Sequence, residues 1–184
     1  CDWSSDVCSS DLPLQKSMKV VVADTSPINY LVLIDCIDLL RHLYTQIVIP
    51  TVVLDELSAP GAPPPVVNWI RSRPEWVEVR STPEAGAFQA DITEAALDEG
   101  EAAAIRLALS EPDSLLLIDE TAGRSVATRL GVANTGTLGV LLAGAKAGLI
   151  DLRSSLAKLQ QTNFRTSKGL VDALLAQAER PAGS

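Results

Sequence analysis

Short apolar runs alternate with helix-patterned segments along most of the chain, and this alternation narrows the fold more than any other feature. Lys19–Ala23, Ile47–Ile49 and Leu115–Ile118 are short and continuous, and the first two are β-branched. Runs of that kind predict strands buried on both faces. Val77–Val79 is a third short strand in chain order, and Gly131–Asn134 turns into another. Between them lie stretches with helical spacing. Ser26-Pro27 is a good helix start, with serine as the cap and proline at the first helical position. Helical apolar content follows through Leu31–Ile34 and Ile37–Leu43. Pro50 interrupts before a helix over Thr51–Ser58, and Ala59–Pro65 is a stiff loop. Helices are also predicted over Val66–Arg73, Asp91–Leu97, Glu101–Leu109, Thr121–Leu130, Leu152–Leu159 and Leu170–Ala178, with Ser81–Ala90 as a loop. Thr137–Ala147 is apolar nearly all round, which predicts a buried helix. Strands alternating with helices imply a single α/β domain, with a central mostly parallel sheet flanked by helices on both faces.

The chain has 184 residues, enough for one domain with a sizeable core. Residues 1–17 read as a non-native, disordered leader. They are Ser/Asp-rich and aperiodic, and DWSSDVCSSDL resembles the translation of a sequencing-library adapter. The expected native start is Met18, with the domain over 18–178 and a tail over 179–184. Setting the leader aside leaves Cys36 as the remaining cysteine, which excludes an intrachain disulfide or a cysteine zinc cluster. No apolar stretch approaches the ~20 residues of a membrane helix, and no signal peptide is seen, so a cytoplasmic location is expected. Charge is uneven: residues 18–120 hold 6 Lys/Arg against 17 Asp/Glu, whereas residues 121–184 hold 8 against 3. Overall acidity disfavours non-specific nucleic-acid binding, but a basic final third beside an acidic region leaves room for it.

Four acids stand where carboxylates can meet. Asp24 directly follows the run Val20–Ala23, and Asp119 directly follows Leu115–Ile118. In open α/β sheets ligands bind beyond the carboxyl ends of strands. Glu56 lies three and four residues after Val53 and Val52, on their helical face, whereas Asp55 points towards solvent. Glu101 heads the apolar stripe of its helix, after Gly100. Three of them have a plainer explanation. Asp24 could be a strand-end turn residue, although Ser26 is placed to cap the next helix. Asp119 could cap the helix from Thr121, and Glu101 could complement a helix N-terminus, as Asp98 and Glu99 also could. A carboxylate facing a core is costly unless a positive group binds it. Hard oxygen donors without histidine or cysteine suit Mg²⁺ or Mn²⁺.

Five segments in order, VVADTSP, IPTVVLDEL, DEGEAAAIRLA, LLIDETAGRSVATRLG and GTLGVLLAGAKAGLI, resemble a PIN domain. More narrowly they resemble the bacterial and archaeal subgroup with a Gly-Glu motif and an Asp-x-x-x-x-Arg motif. The resemblance spans nearly all of Met18–Leu175. It implies a metal-dependent ribonuclease related to the VapC toxins of toxin–antitoxin pairs. Carried over, Asp24, Glu56, Glu101 and Asp119 are the first to fourth acids, both catalytic and metal-binding. Ser26 matches a polar position beside the first acid, and Arg124 matches the arginine after the fourth; both are candidates for substrate contact. Many PIN nucleases carry a further aspartate after the next strand. Here Asn134-Thr135-Gly136-Thr137 holds no acid, and Glu120 is the nearest candidate for that role. The resemblance also implies an RNA substrate, a small antitoxin partner and a homodimer, for which the apolar face of Ile28–Leu40 offers a pairing surface. The alternative is a catalytically weak or inactive PIN-like protein-interaction module. A haloacid-dehalogenase phosphatase would need an aspartate where Ser26 stands. His42 lacks any neighbouring nucleophile motif, and neither a P-loop nor a Gly-x-Gly-x-x-Gly fingerprint is present.

Overall fold

A computed structural model describes residues 20–44, 46–72, 74–84 and 97–179. The leader, Met18 and most of the predicted helix at Asp91–Leu97 lie outside them. Five parallel strands, β1 (Val21–Ala23), β2 (Ile47–Pro50), β3 (Val77–Arg80), β4 (Leu115–Leu117) and β5 (Ala133–Thr135), form one sheet in the order β3-β2-β1-β4-β5. Among the described residues nine helices connect and cover them. These are α1 (Thr25–Leu33), α2 (Asp38–Tyr44), α3 (Thr51–Ser58), α4 (Pro64–Ser72), α5 (Glu99–Ser110), α6 (Thr121–Arg129), α7 (Thr137–Lys146), α8 (Leu152–Leu159) and α9 (Lys168–Ala178). The α/β expectation is met, and every strand pairing is parallel.

The pleat explains why the central runs are apolar throughout. Successive side chains point to opposite faces, and each face has its own core. Val21 and Ala23 of β1, Ile47 and Ile49 of β2, and Leu117 of β4 pack into one core with residues of α1, α2, α3, α4, α7 and α8. Val22, Val48 and Leu116 pack on the other side, under α5 and α6. On that side Ala102, Ala104 and Ala108 keep α5 close to the sheet. The edge strand β5 is less sheltered, with Ala133 exposed and Asn134 and Thr135 half-buried.

Two details depart from the sequence reading. The helix after β1 starts at Thr25, so Asp24 is its cap and Pro27 sits one turn in. The apolar face of Ile28–Leu40 is core rather than a pairing surface, because Ile28, Leu31, Val32, Ile34, Leu39 and Leu40 are all buried against the sheet. Asp35, in the left-handed region at φ 58°, breaks the chain between α1 and α2.

The strand order sets the place of the site. The chain runs β1 to β2 to β3 in one direction, with its helices on one face. It then returns across the other face to place β4 on the far side of β1. Connections after β1 and β4 therefore leave to opposite faces, and a crevice opens between the carboxyl ends of these two strands.

Candidate active site

Asp24 and Asp119 flank that crevice. The Asp24 N–H donates to Leu117 O at 3.0 Å, which ties the end of β1 to the end of β4. The Asp24 carboxylate accepts the Ser26 N–H at 3.5 Å and is only 2% exposed. Burial pushes its carboxyl up to about 7, opposed by the Thr25 backbone hydrogen bond and reinforced by the charges of Asp98 and Glu101. Asp24 is thus both a helix cap and a carboxylate in an unfavourable field. The cap offers partial compensation, well short of cancelling the desolvation.

Asp119 does not cap α6; Glu120 occupies that position, without a side-chain capping bond. Its carboxylate instead reaches α7, accepting the Thr137 N–H at 2.8 Å and the Thr137 hydroxyl at 2.7 Å. Burial raises its carboxyl, the Thr137 bonds and Arg124 lower it, and Glu120 raises it further. Arg124 is exposed, and none of the salt bridges among the described residues includes it. Its charge therefore acts on Asp119 through space.

Glu101 has a split role. Its Oε2 accepts the Asp98 N–H at 3.2 Å while Asp98 Oδ1 accepts the Glu101 N–H at 2.8 Å, a capping box at the start of α5. Its other oxygen, Oε1, is buried and has no hydrogen-bond partner. Burial raises the Glu101 carboxyl first, followed by the charge of Asp98, with smaller contributions from Glu120 and Glu56. Half-buried Glu56 accepts the Thr25 hydroxyl, which holds it beside the first acid, while Asp55 is exposed as its helical phase predicts.

Glycines let the backbone press against two of these groups. A Cβ at Gly100 would lie 2.6 Å from Glu56 Oε2, and one at Gly136 would lie 2.5 Å from Asp119 Oδ1. Four contributors were missed from sequence: Thr25, Asp98, Thr137 and Gly136. Asp98 carried a legible signal, since an aspartate three residues before Glu101 ahead of an alanine-rich run is a capping-box pattern. Thr137 lies in the stretch searched for an acid; the residue that matters there is a donor to the acid that follows the preceding strand. Ser26 is half-buried at the crevice wall, and Glu120 is exposed at its rim.

Among the described residues no three acidic, histidine or cysteine side chains are already drawn together as a metal-holding group. Thr137 engages both Asp119 oxygens, Asp98 engages one Glu101 oxygen, and Thr25 engages Glu56. The donor set nevertheless fits a hard divalent cation. Glu101 Oε1 is an orphaned buried acceptor, and Asp24 is a buried carboxylate held beside other negative charges. A cation would satisfy both.

A family model described as PIN domain, DUF3368, matches residues 20–180. The chain belongs to this PIN-domain family. Comparison with curated proteins and with solved structures found no match. Membership of a PIN family suggests nuclease-type function in general, and PIN domains are typically hydrolases that act on RNA and use divalent metal ions. No described helix of this PIN domain is long and apolar enough to cross a membrane.

Proposed function

We propose that this PIN domain is a Mg²⁺- or Mn²⁺-dependent endoribonuclease and the toxin of a VapC-like toxin–antitoxin pair, acting in the cytoplasm. The observation that carries the nuclease reading is the orphaned Oε1 of Glu101 near Asp24, whose carboxyl is pushed up to about 7 at the switch point of the sheet. Asp24, Glu101 and Asp119 would hold the metal, with Glu120 as a candidate further ligand. A bound divalent ion supplies an activated water and neutralises charge at the phosphate. The chain's own residues do the rest. Thr25 fixes Glu56, which ligates the ion or orients the attacking water. Thr137 fixes the Asp119 carboxylate, and Asp98 fixes the rotamer of Glu101 so that its free oxygen faces away from the cap. Ser26 and Arg124 contact the RNA phosphates. The toxin role adds a small antitoxin that covers the crevice, and a homodimer whose contact surface lies elsewhere than the buried face of Ile28–Leu40.

The test is RNA cleavage with Mg²⁺ or Mn²⁺ by the wild type, Asp24→Asn and Asp119→Asn. Cleavage is expected from the wild type alone, and undiminished cleavage by either variant removes that residue from the mechanism. Calorimetric titration at millimolar metal distinguishes the interaction module: an intact fold that binds neither ion would favour it.

A further inference from the structure

A second feature of the crevice bears on how a substrate is held. Beyond Asp119 and Glu120 the crevice widens into a cavity of about 460 Å³, whose far wall is Asn163, Phe164 and Arg165, from the connection between α8 and α9. This wall is rigidly built. The Thr162 hydroxyl donates to Leu159 O at 2.7 Å and accepts the Phe164 N–H at 3.1 Å, pinning the turn to the end of α8. The Phe164 ring meets Tyr30 edge-on, with centroids 4.9 Å apart and planes at 88°. Tyr30 itself lies within the fields of Asp119 and Glu120. The aromatic pair therefore spans from the acids to Arg165. Neither the Asn163 amide nor the Arg165 guanidinium has a side-chain partner among the described residues.

We infer that this cavity is a nucleotide subsite for single-stranded RNA, with the base against Tyr30 and Phe164, its edge read by Asn163 and its phosphate held by Arg165. The inference rests on the nuclease reading for its place in a reaction, but its chemistry stands on the cavity alone. Aromatic faces accept any base by stacking. A neutral amide offers one acceptor and two donors to a base edge, and a guanidinium suits a phosphate. The acidic end of the cavity repels phosphate unless a cation is present, whereas the Arg165 end attracts it. A nucleotide is thereby oriented with its phosphate at Arg165. Thr121 borders this cavity and a second one of about 550 Å³ walled by Arg124 and Ser125. A strand entering at Arg165 and passing Asp119 thus has an onward path, which favours a polymer over a free mononucleotide.

The experiment uses the full chain with EDTA, so that binding is read without cleavage. Affinities for a single-stranded oligoribonucleotide and its abasic counterpart are measured by fluorescence anisotropy across a salt series, for wild type, Arg165→Ala and Phe164→Leu. Arg165 is exposed, and leucine keeps the apolar bulk of Phe164, so both variants are expected to melt within a few degrees of wild type. Arg165→Ala should weaken binding to both RNAs and reduce the salt slope by about one. Phe164→Leu should weaken binding about tenfold for the intact RNA and leave the abasic RNA unchanged. Unaltered affinity and salt slope in both variants overturn the subsite, even if wild type cleaves RNA. Absence of cleavage by wild type with metal, with both affinity changes present, overturns the nuclease reading and leaves the subsite standing.

Discussion

Replacing Asp24 by asparagine should make the metal-free protein more stable at alkaline pH while abolishing its chemistry. Asp24 is 2% exposed, and burial raises its carboxyl from the ordinary 3.8 to about 7. An acid with a raised folded-state pKa binds more protons folded than unfolded between those two values. Its contribution is therefore fully present below the unfolded value and is lost as pH rises through the folded one. Each unit corresponds to about 1.4 kcal/mol. This single group should thus weaken the metal-free fold by roughly 4 kcal/mol between about pH 4 and about pH 8, a large part of the 5–15 kcal/mol typical of whole domains. Asparagine keeps an oxygen for the Ser26 N–H and does not titrate. Its stability relative to wild type should therefore rise by about the same amount over that window. The burial of Glu101 and Asp119 contributes to both proteins and largely cancels in the difference. The assay is urea unfolding followed by circular dichroism, with EDTA, at both ends of the window. Parallel pH profiles for the two proteins would refute the claim that Asp24 is ionised at a cost in the folded state.

Saturating Mg²⁺ or Mn²⁺ should raise the melting temperature of wild type at about pH 8, by about 2.7 kcal/mol of stability at a hundredfold excess over Kd, and should raise that of Asp24→Asn far less; equal rises would argue against Asp24 as a ligand. Thr137→Val removes the hydroxyl bond to Asp119 Oδ2, so the acidic limb of the cleavage pH profile should move to higher pH, with a stability loss of about 1–3 kcal/mol measurable by the same unfolding assay. Gly100→Ala would place a Cβ 2.6 Å from Glu56 Oε2. Because that oxygen ends a flexible side chain, the fold should survive while the cleavage rate falls, and an unchanged rate would show that the placement of Glu56 does not matter.

Much of the fold was legible because burial on both faces forces a distinctive pattern. Lys19–Ala23 and Leu115–Ile118 read as buried strands and contain β1 and β4, and Thr51–Ser58 and Leu152–Leu159 were bounded in the structure as the periodicity implied. The cap at Asp24 was not legible. Asp24 and Ser26 are both good caps, and the choice followed from where β1 is released by its neighbours. The dimer face over Ile28–Leu40 failed for a related reason: an apolar helical stripe looks the same whether a sheet or a second subunit covers it.

For the acids, the sequence by itself determined which carboxylates terminate apolar strands and which share a buried helical face, because the periods of strand and helix are local properties. Only the tertiary structure decided what those carboxylates do to one another. The reversal of strand order puts β4 beside β1, so Asp24 and Asp119, ninety-five positions apart in sequence, follow neighbouring strands. Thr137, seen in sequence as the place of a missing acid, is the donor that holds Asp119. The unpaired oxygen of Glu101 arises because Asp98 takes the other one. Desolvation, hydrogen bonding and repulsion depend on distances through space. A linear spacing rule carries no information about those distances until the sheet has set them.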